Sequence, residues 1–342
     1  MSMMNSNFAM KSVLMLGVAA VGMMMASGGA SAQTRADGYT FTPINAPLAG
    51  TAAGQGTVIR GVNGAGQMVG WYATSSNSVN GFVDTNGTFT TIDVPGATMT
   101  EAYGINNAGQ ITGYYVNSSG TNIGFLDTNG TFSNVWVSGS SLTQPTGINN
   151  SGQITGRYDF GTSSNGFVDT NGAYTGIALT AATFAEGIND AWQVAGFYNY
   201  QRPGDQGFVD TNGTFKTIDD PLGTSGTRLL GINNAGQVVG YYWNSSGIYH
   251  GFLDTDGTFT TIDDPLGTEQ NDPTGITASG VVVGAYQDSS GVYHGYVATP
   301  DNMAPLPAAG GTLPGSMVLL GWLLGRRLTV RRREQKAAAA SR

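Results

Sequence analysis

The phrase Gly61-Val62-Asn63-Gly64-Ala65-Gly66-Gln67 is the first of six near-copies of one short motif. The other copies begin at Gly104, Gly147, Gly187, Gly231 and Gly275, at intervals of 43, 43, 40, 44 and 44 residues. An interval of this length is typical of one four-stranded propeller blade, which cannot bury its apolar face until a neighbouring blade stacks on it. The spacing therefore predicts an all-β repeat architecture.

Composition agrees with short strands joined by tight turns. The chain has 53 Gly among 342 residues and only 11% charged residues, a mixture that disfavours long helices. Cysteine is absent from the sequence, which excludes disulfides and thiolate chemistry. Residues 33–300 carry six basic and twenty acidic side chains, a net charge of −14. Nucleic acid is excluded as a partner, because phosphate binding needs clustered Lys and Arg.

Each repeat divides into four strand candidates, a to d. In the fifth repeat these are Leu230 to Asn233, Gln237 to Trp243, His250 to Thr255 and Thr258 to Asp263. Asn233-Asn234-Ala235-Gly236 separates a from b, and Asp254-Thr255-Asp256-Gly257 separates c from d. Asn and Asp favour local side-chain bonds and Gly favours positive φ, so both connections are predicted to be tight hairpins.

The two ends of the repeat region are incomplete in complementary ways. Tyr39 to Ile44 matches strand d of the first repeat, Thr88 to Ile92, but no a, b or c precedes it. His294 to Thr299 matches strand c, but no d follows it. We therefore expect residues 33–300 to form a six-bladed β-propeller of four-stranded blades, in which the N-terminal strand completes the last blade and removes exposed edges.

Two apolar series are predicted to fill the space between blades. One is Ile105, Ile148, Ile188, Ile232 and Ile276 in strand a, and the other is Phe82, Phe125, Phe167, Phe208, Phe252 and Tyr296 in strand c. Burial of each large side chain contributes about 1.5 to 3 kcal/mol.

A second aromatic series follows a glycine in strand b. It comprises Trp71 and Tyr72, Tyr114 and Tyr115, Tyr158, Phe197 and Tyr198, Tyr241 to Trp243, and Tyr286. Adjacent side chains on a strand point to opposite faces, so both members of a pair cannot enter one interface. Exposed rings can stack on sugars, which makes Trp71, Tyr115, Tyr242 and Trp243 candidate ligand-binding residues. The alternative is that both members pack between successive blades.

Propeller topology gathers the b–c and d–a connections on one face. Asp219, Asp220, Asp263 and Asp264 lie there, as do the two histidines of the chain, His250 and His294. The carboxylates are candidate ligands for a hard cation such as Ca²⁺, or else form a solvated acidic rim. The histidines are candidate ligand-binding residues, or a two-His metal site that needs at least one further ligand, or simple surface substitutions.

No nucleophile elbow and no phosphate-binding loop occurs in the sequence. Three functions stay open: a noncatalytic binding or scaffolding protein with no cofactor, a cation-assisted hydrolase that uses the acidic loop face, and an adhesin or spacer that binds other proteins.

Both ends of the chain have the composition of targeting segments. Lys11 precedes an apolar run from Val13 to Met25, and the small residues Ala30-Ser31-Ala32 follow, which predicts a signal peptide over residues 1–32 cleaved after Ala32. Residues 301–312 form a linker rich in Pro, Gly and Ala. Residues 313–342 combine a short hydrophobic segment with an Arg-rich end, which predicts transient membrane contact.

Two family resemblances accompany these features. Ala304-Pro305-Leu306-Pro307-Ala308, with the apolar segment and the Arg cluster, resembles the PEP-CTERM sorting tail whose motif reads Val-Pro-Leu-Pro-Ala. The phrase at Gly104 to Gln110 and the Gly124 to Thr128 sequence resemble HAF-type extracellular repeats. The first resemblance implies handling by an exosortase-like enzyme at Pro305, Leu306 and Pro307. Together they imply delivery to the cell surface or exopolysaccharide matrix of a Gram-negative bacterium, with matrix polysaccharide or surface proteins as partners.

Overall fold

The computed structural model describes residues 33–36, 38–177, 179, 182–199, 204–268 and 270–302. These residues form β-strands joined by turns, and no helix able to cross a membrane occurs among them. The predicted signal peptide with Ala32, the sorting motif with Pro305, Leu306 and Pro307, and the C-terminal segment lie outside the described residues.

The strands follow one another in groups of four along the chain. Two strands precede the first group: β1 (Thr34–Ala36) and β2 (Tyr39–Ile44). The first sheet has β3 (Gly56–Val62), β4 (Met68–Ala73), β5 (Val79–Thr85) and β6 (Thr88–Ile92). The second has β7 (Met99–Ile105), β8 (Ile111–Val116), β9 (Asn122–Thr128) and β10 (Thr131–Val135). The third has β11 (Leu142–Ile148), β12 (Ile154–Phe160), β13 (Ser163–Thr170) and β14 (Ala173–Ile177).

The later sheets repeat this order. The fourth has β15 (Ala182–Ile188), β16 (Gln193–Asn199), β17 (Asp205–Thr211) and β18 (Thr214–Thr217). The fifth has β19 (Gly226–Ile232), β20 (Val238–Trp243), β21 (Tyr249–Thr255) and β22 (Thr258–Thr261). The last contains β23 (Gln270–Ile276), β24 (Val282–Gln287) and β25 (Tyr293–Pro300). Antiparallel pairing of consecutive strands in each group confirms the predicted all-β fold of four-stranded sheets.

The fourth strand of the last sheet comes from the start of the chain. Strand β2 pairs antiparallel with β25, from Tyr39 opposite Pro300 to Ile44 opposite Gly295. Strand β1 folds back and adds one more strand at the edge, pairing with β2. The last and first sheets also touch directly, through the single parallel pair Tyr293 with Gly56.

The c–d connections are two-residue hairpins of the predicted kind. In the first sheet Asn86 and Gly87 have φ of 53° and 81°, the positive pair that defines a type I′ turn. The aspartate before such a turn caps it. In the second sheet, Asp127 Oδ1 accepts a 2.7 Å hydrogen bond from the Gly130 amide. The last sheet has Ala298 at the aspartate position, where no c–d turn exists to be capped.

The repeated phrase acts as a connector between successive sheets. Asn149 Oδ1 accepts from the Ser151 and Gln153 amides of its own turn, and its Nδ2 donates to the Asn189 carbonyl of the next repeat. Gln153 then donates from Nε2 to Thr170 in the neighbouring hairpin. Four further asparagines make the same link between repeats: Asn63, Asn106, Asn189 and Asn233. The recurrence of the phrase from repeat to repeat is thus explained by structural hydrogen bonds rather than by a catalytic or ligand-binding role.

The glycine that opens each phrase permits close approach of the inner strands. A Cβ atom on Gly61 would lie 2.5 Å from the Tyr103 carbonyl oxygen, and one on Gly231 would lie 2.7 Å from the Thr274 carbonyl oxygen. Side chains cannot be accommodated at such contacts without displacing backbone.

Apolar clusters fill the spaces between sheets, as the two predicted series require. The strand-c rings of Phe82, Phe125, Phe167, Phe208, Phe252 and Tyr296 are all fully buried. One cluster joins Ile59 and Phe82 of the first sheet to Val283 and Val297 of the last. Stacked four-stranded sheets with inner strands in mutual contact are the arrangement of a β-propeller.

Candidate functional site: the inner cavity

A cavity of about 470 Å³ lies between the inner strands of the sheets. We call it the inner cavity. Its polar lining includes three arginines, Arg60, Arg157 and Arg228, together with Glu186 and Asp272. Its aromatic lining consists of Tyr103, Tyr114, Phe184, Phe197 and Tyr241. A volume of this size is within the range of about 300 to 1,000 Å³ found for small-molecule sites.

The aromatic pairs of strand b divide between the cavity and the core. The residue directly after the glycine, such as Tyr114 or Tyr241, lines the cavity. The next residue belongs to the clusters between sheets: Tyr242 is buried against Leu229 and Phe252. This division follows from the alternation of side chains across a strand.

Two arginines of the cavity have internal partners. Arg157 Nε donates a 2.7 Å hydrogen bond to Gln144 Oε1. Arg228 forms an ion pair through Nε with Asp205 and donates from a terminal nitrogen to the Tyr241 hydroxyl at 2.9 Å. Its guanidinium also lies 4.4 Å from the Phe197 ring centroid, a cation–π distance.

Arg60 lacks such a partner at Nε, which is buried and makes no hydrogen bond to the described residues. Its guanidinium lies 5.2 Å from the Tyr103 ring centroid. Burial alone would lower the pKa of Arg60, but Tyr103, Asp272 and nearby glutamates raise it above its ordinary value. Arg60 therefore stays positively charged, with acidic side chains around it.

Burial raises the pKa of both carboxyl groups that line the cavity towards neutral pH. Burial raises the pKa of Glu186 from 4.5 to about 7, against the opposing charges of Arg60, Arg157 and Arg228. Burial likewise raises the pKa of Asp272 from 3.8 to about 6, against Arg60, a hydrogen bond from Gln270 and Arg228. Carboxyl groups of this kind exchange between donor and acceptor roles near neutral pH.

The predicted ligand-binding aromatics fall into different environments. Trp71 is half-buried with its ring 6.2 Å from that of Tyr293. Tyr115 is half-buried and donates to Asn134 at 3.3 Å. Tyr242 is buried, so its ring has no face for a ligand. Trp243 is half-buried beside the Arg228 guanidinium, 5.5 Å away.

Both predicted histidines stack on a tyrosine and pair with an aspartate. The His250 ring lies 5.2 Å from that of Tyr242, and its Nδ1 lies 2.8 Å from Asp263 Oδ2. The His294 ring lies 5.0 Å from that of Tyr286, and its Nε2 lies 2.9 Å from Asp288 Oδ2. The two imidazoles thus occupy equivalent places in neighbouring sheets, as their spacing predicts.

The four predicted metal-ligand aspartates bind amides of the protein. Asp219 Oδ1 accepts from the Gly207 amide at 3.1 Å, and Asp263 Oδ1 from the Gly251 amide at 2.7 Å. Asp220 Oδ1 and Asp264 Oδ1 accept from the amides two positions on, at 2.8 and 2.9 Å. Within the described ranges, no group of three or more His, Asp or Glu side chains has metal-binding geometry.

Sequence reasoning missed the cavity residues Arg60, Arg157, Glu186, Arg228 and Asp272. A signal was present, because three of the six basic residues between positions 33 and 300 lie on the inner two strands of a repeat. A second cavity, of about 520 Å³, lies between the first and second sheets and is lined by turn residues, such as Asn107 and Asn129, and by apolar strand residues, such as Ile92, Ile105 and Phe132.

No protein-family model and no curated protein sequence matches the chain. Among solved structures, TolB from Acinetobacter baumannii is similar with a TM-score of 0.48 and 11% identity, over 68% of this chain and 63% of TolB. The β-propeller domain of the Trilobed protease from Pyrococcus furiosus has a TM-score of 0.48 and 10% identity, over 77% of this chain and 100% of that one. The six-bladed fucose-binding lectin of Aleuria aurantia has a TM-score of 0.45 and 10% identity, over 72% and 96%. The chain thus spans less than two thirds of TolB, and none of these likenesses assigns it an activity.

Proposed function

We propose that this chain is a closed six-bladed β-propeller that is exported to the cell surface or exopolysaccharide matrix and acts there by binding or scaffolding. The pairing of β2 with β25 supports closure, as do the contacts between the last and first sheets. Export rests on the sequence of the two ends. An exosortase-like enzyme would process the tail, and the tail would make transient membrane contact.

The inner cavity is the observation that carries the binding role. The repeated phrase makes the hydrogen bonds between repeats, and the strand-c rings form the core, so both have structural roles. Charged and aromatic side chains that vary from repeat to repeat converge at the cavity instead. Variable polar and aromatic groups on a repeated scaffold are typical of a ligand site.

A matrix polysaccharide is the partner that this composition favours. Aromatic faces and charged side chains with hydrogen-bonding capacity suit the apolar ring faces and hydroxyl edges of sugars. Affinity electrophoresis of the full chain in gels that contain dextran, hydroxyethyl cellulose or alginate tests this role. Retardation by a polymer, abolished by heat denaturation, is expected, and equal mobility in all gels would contradict polysaccharide binding.

Delivery is tested separately in an exopolysaccharide-producing Gram-negative host. We expect the full chain in the matrix fraction and a variant with Pro305→Ala and Pro307→Ala held with the membranes. Equal distribution of the two proteins would contradict processing at this motif.

The hydrolase and adhesin alternatives keep distinct tests. Asp219, Asp220, Asp263 and Asp264 would have to exchange their amide hydrogen bonds for Ca²⁺ in a cation-assisted enzyme. A melting temperature that rises with Ca²⁺ and falls with chelator would favour that enzyme. Retention of purified surface proteins without retention of polysaccharide would favour the adhesin.

A further inference from the structure

The wall of the inner cavity at the junction of the last and first sheets differs from the rest of the lining. Arg60 Nε and Asp272 Oδ1 are buried there and have no hydrogen-bond partner among the described residues. Trp71 Nε1, on the same strand pair as Arg60, is a third such atom. By contrast, the Nε atoms of Arg157 and Arg228 are both paired.

Trp71 occupies the strand position whose equivalents in other sheets line the cavity. It follows Gly70 as Tyr114, Arg157 and Tyr241 follow their own glycines, and those three side chains line the cavity. Its ring packs edge-on against that of Tyr293. Burial raises the pKa of Tyr293, the charge of Asp272 raises it further, and the charge of Arg60 lowers it. Trp71 itself is not among the residues that line the cavity, so it supports the wall formed by Arg60 and Asp272 from behind, through Tyr293.

Leaving these atoms unpaired has a cost that a ligand would remove. A buried polar atom without a partner costs about 1 to 3 kcal/mol, and more when the group is charged. Among these atoms, the Arg60 Nε–H donor and the Asp272 Oδ1 acceptor belong to residues that line the cavity. A hydroxyl group is matched to this set because it can accept from a donor and donate to an acceptor.

Charge selects a neutral ligand over an anionic one. The three cavity arginines are accompanied by Glu186, Asp272 and the nearby Glu101, whose carboxylate accepts from the Tyr103 hydroxyl. Asp205 adds a fourth carboxyl group beside Arg228, so the three arginines are matched by acidic groups even when Glu186 takes up a proton, and residues 33–300 carry a net charge of −14. A polyanion would be repelled at long range and would gain no uncompensated cation on arrival.

We propose that the wall formed by Arg60 and Asp272, with Trp71 behind it, is a subsite for a neutral sugar residue. Arg60 Nε–H donates to a sugar oxygen, and Asp272 Oδ1 accepts from a sugar hydroxyl. The volume of about 470 Å³ is suited to one or two sugar rings. This subsite rests on the proposed polysaccharide-binding function and specifies the chemistry of its ligand.

Indole NMR of the full chain tests the subsite directly. The sequence has five tryptophans, so few indole N–H signals appear, and the Trp71 signal is the one missing from the Trp71→Phe variant. We expect cellobiose, lactose or mannobiose to shift that signal, and glucuronate to bind no more tightly than these sugars. A Trp71 signal that none of the three disaccharides moves would overturn the proposal, and ordered water alone would then satisfy the wall.

Variants separate the subsite from a general effect on folding. Asp272→Asn and Arg60→Lys should each weaken disaccharide binding by about tenfold, and Trp71→Phe by a smaller factor. Trp136→Phe and Arg35→Lys are the matched controls, because Trp136 follows the outer strand β10 and Arg35 is exposed on the edge strand β1. Unchanged affinity in the folded Asp272→Asn variant would overturn the proposal.

Failure of the subsite is distinguishable from failure of the function. A full chain still retarded by neutral polymer, with no change in Trp71→Phe or Asp272→Asn, would leave the proposed function standing and remove the subsite. A chain that neither polymer nor disaccharide affects would remove both.

Discussion

Thr274 and Ile59 are separated by 215 positions, yet the Thr274 hydroxyl donates a 2.9 Å hydrogen bond to the Ile59 carbonyl. Thr146 makes the same contact with the Ala185 carbonyl at 2.8 Å, between the third and fourth sheets. Each threonine directly precedes the glycine of its phrase, and each acceptor lies two positions before the glycine of the next. The last and first sheets are therefore joined by the chemistry of an interior junction.

Replacing Thr274 by Val tests the proposed closure of the ring. The variant keeps the shape of the side chain but leaves a buried carbonyl without its donor, so the free energy of unfolding should fall by about 1 to 2 kcal/mol. Thr146→Val is the matched control at an interior junction and should cost a similar amount. Urea unfolding measures both. A cost for Thr146→Val without one for Thr274→Val would mean that the two ends separate in solution.

Phe41 on β2 tests the strand that completes the last sheet. Its ring is fully buried, 5.4 Å from that of Tyr296, whereas the equivalent Phe89 of the first sheet is half-buried. Phe41→Ala should therefore lower the free energy of unfolding by about 3 to 5 kcal/mol, and Phe89→Ala by less. Thermal or urea unfolding of the two variants decides the order, and the reverse order would show that β2 is only loosely attached.

Repetition made the strands, hairpins and core predictable from sequence. Phe125 and its equivalents recur at a fixed place, and a side chain that fills the same gap in each repeat must be buried. The complementary ends at Tyr39 and His294 likewise predicted the pairing of β2 with β25. Boundaries were less accurate, because β19 begins at Gly226, paired with Trp243, rather than at Leu230.

The cavity was not predictable by counting alternate residues. In the first sheet the pairing of β3 with β4 shifts register between Ile59 and Gly61, and the other inner strand pairs shift at the same place. Such a bulge inserts one residue and redirects the side chains around it. Arg60 lies at the bulge, so strict alternation does not give its direction. Local bonds, such as that between His250 and Asp263, were also invisible in the spacing.

Thr277 interrupts the asparagine links between repeats and offers a stabilising substitution. Asn233 Nδ2 donates to the Thr277 carbonyl at 3.0 Å. The Thr277 side chain has no amide group that could make the next link, to the first repeat. Thr277→Asn should add that bond and raise the free energy of unfolding by about 0.5 to 1.5 kcal/mol. Ser279→Asn, on the same turn, is the control and should have no such effect. A Thr277→Asn variant no more stable than wild type would contradict a tight junction there.

Glu186 should make the protein less stable as pH rises towards neutrality. Burial raises its pKa in the folded protein from 4.5 to about 7, so the folded state binds the proton more tightly than the unfolded state does. The stability that this provides is fully present below about pH 4.5 and is lost as pH rises through about 7. Glu186→Gln cannot ionise and should escape the loss.

Denaturant unfolding between pH 4.5 and 8 measures this dependence. At pH 8 the Glu186→Gln variant should be more stable than wild type by about 1 to 2 kcal/mol, a range that allows for water reaching the cavity. At pH 4.5 the two proteins should be equal. Asp288→Asn provides a control of opposite sign, because a hydrogen bond from His294 lowers the pKa of Asp288, and its stabilisation is lost as pH falls. Parallel curves for wild type and Glu186→Gln would show that the Glu186 carboxylate is compensated by the three arginines.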